Sequence, residues 1–100
     1  MIARSWHGRV SAEKSDAYLE YLRRTGIADY KSAPGNRGVW VLRTVKDGVA
    51  EFLIITFWDS LDAIRNFAGD DVERARYYPG ADDWLLEKEP TATHWEIFQD

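Results

Sequence analysis

The stretch FLIITFWDSLDAIRNFAG, residues 52–69, changes its hydrophobic period half-way. Phe52 to Trp58 is a short apolar run rich in β-branched and aromatic side chains, which reads as a strand. From Leu61 the apolar residues Leu61, Ile64, Phe67 and Ala68 recur at helical spacing, so an amphipathic helix follows. Asp59 or Ser60 can cap that helix, and Gly69 is a natural stop. The strand is apolar on both parities, with Phe52, Ile54 and Trp58 on one and Leu53, Ile55 and Phe57 on the other. Such a strand needs cover on both faces. Trp58, the largest side chain available, closes it, either as packing or as the wall of a small-molecule pocket.

The neighbouring segments extend this reading in both directions. VAEFLIITFW (49–58) is preceded by a second β-rich run, VWVLRTV (39–45), and the KDG between them is an Asp-Gly hairpin signal. KSAPGNRG (31–38) reads as a loop, because Pro34, Gly35 and Gly38 break any regular element. Ser11 is placed to cap a helix that carries Ala17, Tyr18, Tyr21 and Leu22 as far as Gly26. IARSWHG (2–8) is expected to be the first strand. Beyond Gly69, a short helix is expected over 71–76, then a segment broken by Pro79 and Gly80, and a last strand, TATHWEIF (91–98). The order is β-α-β-β-α-β, an α+β, ferredoxin-like antiparallel sheet in one domain spanning residues 1–100. Right-handed crossovers put both helices on one sheet face. The other face is expected to pack on a second copy, making a homodimer.

Bulk composition narrows the function classes. The chain is 45% apolar and 30% charged, with a net charge of −4 and no basic cluster. That argues against a nucleic-acid partner, which needs a Lys/Arg patch. With no cysteine, thiol chemistry and disulfides are excluded. No apolar stretch is long enough to span a bilayer, and MIARSWHGRV has no signal-peptide core, so a cytoplasmic protein without a membrane partner is expected. Five Trp, five Tyr and four Phe suit an aromatic pocket as well as a core. No HExxH-like spacing points to a metal, and GNRG lacks the context of a phosphate loop. His7 and His94, on the first and last strands, are the two histidines and are expected at the same end of the sheet.

This element order, with FWDSLDAIRNFAG ending the third strand and ARSWHGRV on the first, resembles the antibiotic biosynthesis monooxygenase superfamily of dimeric α+β barrels. The resemblance covers nearly the whole chain, most clearly residues 2–68. It implies a cofactor-free oxygenase acting on a small planar aromatic of polyketide, quinol or phenol type, between sheet and helices. The family's pocket tryptophan matches Trp58, and its strand-one polar position falls near His7. Ile54 stands where several anthrone oxygenases carry Asn. Phe67, Ala68 and Gly69 stand where haem-degrading members carry an axial His.

On this reading His7 is the base, since an imidazole titrates near neutrality, and Trp58 is wall and hydrogen-bond donor. Tyr77 or Tyr78 is the gate, with Phe67, Arg74 and His94 as further substrate contacts and no cofactor. The alternatives are a non-catalytic dimer that holds a hydrophobic molecule, and a haem protein using His7 or His94 as axial ligand.

Overall fold

In the computed structural model, which describes residues 1–75, 80 and 84–99 (the side chains of 87 and 88 aside), the third-strand prediction holds at both ends. The elements are β1 (Ile2–Ser11), a 3-10 turn (Ala12–Lys14), α1 (Ser15–Arg24), α2 (Gly26–Ser32), β2 (Asn36–Lys46), β3 (Val49–Trp58), α3 (Leu61–Ala68), β4 (Leu85–Lys88) and β5 (Thr93–Glu96). The sheet order is β2-β3-β1-β4, and β5 also pairs with β1. All pairings are antiparallel, so the fold is the expected α+β, ferredoxin-like one. No helix among the described residues is long and apolar enough to cross a membrane.

Local chemistry explains most boundaries. Asp47 and Gly48 both have positive φ, 53° and 77°, as the Asp-Gly hairpin requires. Ser60 caps α3 by accepting the Ala63 N–H at 3.2 Å, and Gly69 ends it at φ 94°. Ser11 makes no side-chain cap. Gly26 starts a second helix rather than ending the first. The break falls at Thr25, whose hydroxyl donates to Tyr21 O at 2.8 Å, with φ −113° and ψ −92°. The loop expected at 31–38 shrinks accordingly: Lys31 and Ser32 finish α2, and Asn36 already belongs to β2.

Two expectations near the C-terminus are corrected. Residues 71–75 form a turn and one bridge, Arg74 with Thr91, and not a helix. The last strand is shorter than expected, β5 over Thr93–Glu96, and a further strand, β4, precedes it where none was expected. β4 pairs with Gly8–Val10 and β5 with Ile2–Ser5, so the chain runs along β1 twice with a gap between.

β3 alternates as its composition demands. Ala50, Phe52, Ile54, Thr56 and Trp58 are buried, while Leu53, Ile55 and Phe57 are half-buried. The buried parity meets the helices: Val10, Tyr18, Tyr21, Leu22, Phe52 and Ile54 form one core cluster. Tyr18 packs edge-on to Phe52 at 5.0 Å, and Trp84 tilts against Tyr21 at 5.9 Å. The other parity is open on this face: Trp40 is 65% exposed, Trp95 56% and Leu42 43%.

Gly8 sits under the Trp6 ring. A Cβ there would lie 2.3 Å from the Trp6 side chain. Gly8→Ala is therefore expected to cost about 1–3 kcal/mol through overpacking, read by urea denaturation. Unchanged stability would mean that the ring moves aside freely.

Candidate functional site

Along a strand, side chains alternate between faces, and directly paired residues share one. Register therefore sorts the candidate residues. Trp58 pairs with Ile2, Thr56 with Arg4 and Ile54 with Trp6, all on the helix face. His7 pairs with Leu53 and belongs to the open face. His94 pairs with Arg4, which puts it on the helix face. The two histidines thus stand on opposite sides of the sheet, and so do His7 and Trp58. The expectation that His7 and Trp58 line one pocket is corrected on this ground. The added strand β4 is the reason for the histidines: it takes the stretch of β1 beyond His7, leaving β5 opposite residues 2–5.

On the open face His7 is held between two carboxylates. Its Nε2 lies 2.9 Å from Glu51 Oε1, and its Nδ1 lies 3.8 Å from Glu89 Oε1. The hydrogen bond to His7 holds the Glu51 carboxyl below the usual carboxylate range. A depression of about 240 Å³ beside it is lined by Ser5, Trp6, His7, Glu89, Thr91 and Thr93.

On the helix face Trp58 has no exposed surface. Its indole N–H donates to Thr56 Oγ1 at 2.8 Å, and Thr56 donates onward to Arg4 O at 3.3 Å. The N–H is thereby engaged within the protein, which corrects the expectation of Trp58 as a donor to substrate. Its ring lies 5.3 Å from Phe67, and Phe67 lies 5.1 Å from Tyr30. This aromatic series ends at a cleft of about 260 Å³ between α2 and α3. Phe67 lines that cleft with Asp29, Ala33, Pro34, Ala63 and Asn66.

A clasp fixes the lip of the cleft. Asp59 N–H donates to Gly35 O at 2.9 Å, and Arg37 grips the Asp59 carboxylate with two bonds of 2.7 and 2.9 Å. Arg37 holds that carboxyl below its ordinary range. Gly35 has φ +85° and lies so close to α3 that a Cβ would come within 2.6 Å of Ala63 Cβ.

Beside Trp58 lies a polar row of which sequence reasoning singled out only His94. Arg4 is 6% exposed, and its guanidinium donates to Val72 O at 2.8 Å and Arg74 O at 3.1 Å. Thr56 is 3% exposed. His94 completes the row, and its Nε2 is buried without a hydrogen-bond partner among the described residues. Burial, and then the nearby Arg4 charge, push the His94 imidazole below its ordinary value, with Glu73 acting against them. The available signal was a break in pattern: Arg4 and Thr56 occupy the inward parity of strands that are otherwise apolar there. Arg74 contributes its carbonyl and sits in the turn, and Tyr77 and Tyr78 lie outside the described residues.

Solved structures share this architecture. An antibiotic biosynthesis monooxygenase candidate from Bacillus cereus superposes with a TM-score of 0.69 at 17% identity, over 99% of this chain and 94% of that one. The haem-degrader MhuD from Mycobacterium tuberculosis, with two haems in its active site, gives 0.62 at 17%, over 100% and 98%. A mutant of SnoaB, a cofactor-independent oxygenase from Streptomyces nogalater, gives 0.58 at 17%, over 98% and 95%. No family model and no curated protein matches the chain. The protein therefore has the α+β fold found among antibiotic biosynthesis monooxygenases. At these identities the likeness carries the fold and leaves the chemistry to the residues.

Proposed function

We propose that the protein is a cofactor-independent monooxygenase that takes a small planar phenol, quinol or anthrone between its sheet and helices. The observation that carries this is the aromatic series Trp58–Phe67–Tyr30, which leads from the sealed end of β3 to the cleft between α2 and α3. The cleft sets the Phe67 ring, Ala33, Pro34 and Ala63 beside the polar Asp29, Ser32 and Asn66, a mixture that suits a flat ligand carrying hydroxyl groups. Removing a proton from an anthrone-type CH₂ leaves an electron-rich anion. That anion reduces dioxygen, the carbon and oxygen join as a hydroperoxide, and loss of water leaves the ketone. The protein has to supply a base, positive potential for the anion and a dry site. Arg4 supplies the second of these.

Haem, which MhuD holds, finds no axial ligand on α3 here. The α3 sequence LDAIRNFA has no side chain that ligates iron in haem proteins, and Phe67 packs on Trp58. Oxygen uptake on an anthrone and quinol panel, run beside calorimetric binding, tests the proposal. Uptake by the wild type is expected. Binding without uptake across the panel would instead leave a non-catalytic binder, a reading favoured by the closure of Trp58 and its N–H bond to Thr56.

The reading includes a homodimer through the open sheet face. Trp40, Leu42, Leu53, Ile55, Phe57 and Trp95 make that face apolar, and a second copy of the same face would cover it. Trp40→Glu is expected to convert the dimer to a folded monomer in light scattering. A monomeric wild type at micromolar concentration would contradict the dimer.

A further inference from the structure

We propose that His94, and not His7, is the base that takes the substrate's proton. The inference rests on the reading above and adds the group that it lacks. Three observations converge on His94. The register places it on the helix face, directly opposite Arg4 and one strand beyond Thr56, which holds the Trp58 N–H. Its Nε2 is sealed from solvent and has no hydrogen-bond partner among the described residues. A buried, unsatisfied ring nitrogen is costly, and such atoms call for a functional explanation. His7 differs on each count that matters, since its Nε2 lies against Glu51 on the other face.

The surroundings set the protonation state needed. Arg4 faces His94 from β1, Glu73 from the turn, and Glu96 shares its face two residues along β5. Burial and the Arg4 charge outweigh Glu73, so the imidazole is neutral at pH 7. With the ring proton on Nδ1, Nε2 presents a lone pair. The step moves one proton from a substrate O–H or C–H to Nε2, leaving an imidazolium and a substrate anion. That anion lies between two cations, His94 and Arg4, which offsets the repulsion between them. Strands stand about 4.8 Å apart, so His94 and Thr56, two strands apart, are separated by roughly 10 Å.

The test uses 4-nitro-1-naphthol, whose ionised form is read by visible absorbance, titrated anaerobically into the full-length protein. On the wild type, the midpoint of probe ionisation is expected to fall by about one pH unit relative to free probe, a tenfold change in the ionisation constant. His94→Gln and His94→Asn are expected to bind the probe and lose most of the displacement, with the remainder due to Arg4, while His7→Ala follows the wild type. Circular dichroism confirms that each variant is folded. Should both His94 variants keep the displaced midpoint, or should the wild type bind the probe without displacing it, His94 is not the acceptor, although the binding reading survives. A wild type that binds no aromatic at all overturns the proposed function and this inference with it.

Discussion

Trp58→Ala is expected to lower stability by about 3–5 kcal/mol, the range for deleting a large aromatic from a packed interior. Trp58 is fully buried, packs at a tilt against Phe67, and donates to Thr56. The truncation removes that apolar area, leaves a cavity at the end of β3, and takes away the donor that Thr56 accepts. In a domain of this size such a loss is a large share of total stability, and it corresponds to a melting-point drop on the order of 15–30 °C. Urea denaturation and calorimetry both read it. A loss under 1 kcal/mol would show that the ring is not packed as described. Trp58→Phe keeps the wall and loses the N–H, so it should cost less than half as much. The contrast separates packing from hydrogen bonding.

Arg4→Met is expected to be the second largest change, at about 2–4 kcal/mol. A buried guanidinium that donates to two carbonyls leaves both unsatisfied when it is removed. The same substitution frees the segment Val72 to Ala75, which is otherwise held by Ala75 N–H to Pro90 O at 3.0 Å and Ala92 N–H to Glu73 O at 2.7 Å. Amide exchange in residues 72–75 should accelerate more than elsewhere.

A pH signature accompanies this variant. His94 is depressed first by burial and second by Arg4, so removing Arg4 raises its value towards 6.5 without fully restoring it. The sign follows from proton counting. A histidine depressed in the folded state binds fewer protons there than when unfolded. Its stability contribution is complete above pH 6.5 and is lost as pH falls through 6.5 and below. In Arg4→Met that acid loss should be shallower than in the wild type. An unchanged slope would indicate that Arg4 does not act on His94.

Much of the architecture was legible in local pattern. The Asp-Gly turn, the Ser60 cap, the Gly69 stop and the bounds of β3 depend on residues within a few positions of one another, and each was recoverable from spacing. The errors fall where distant segments compete. α2 was missed because Gly26 and Pro34 read as breakers, while Tyr30 gains burial against Phe67 that no local window reveals. The 71–76 helix gave way to pairing between Arg74 and Thr91, since backbone groups beside β5 find partners there.

The candidate site divides in the same way. Composition and parity alone determined that this chain makes a half-covered antiparallel sheet with an aromatic residue at the end of its third strand. They also marked Trp58, Phe67, His7 and His94 as the residues to watch. Only the tertiary structure decided which of them meet. Faces alternate at every residue, so the pairing register, which no local pattern encodes across the gap between β4 and β5, sends His94 to Trp58's side and His7 to the other.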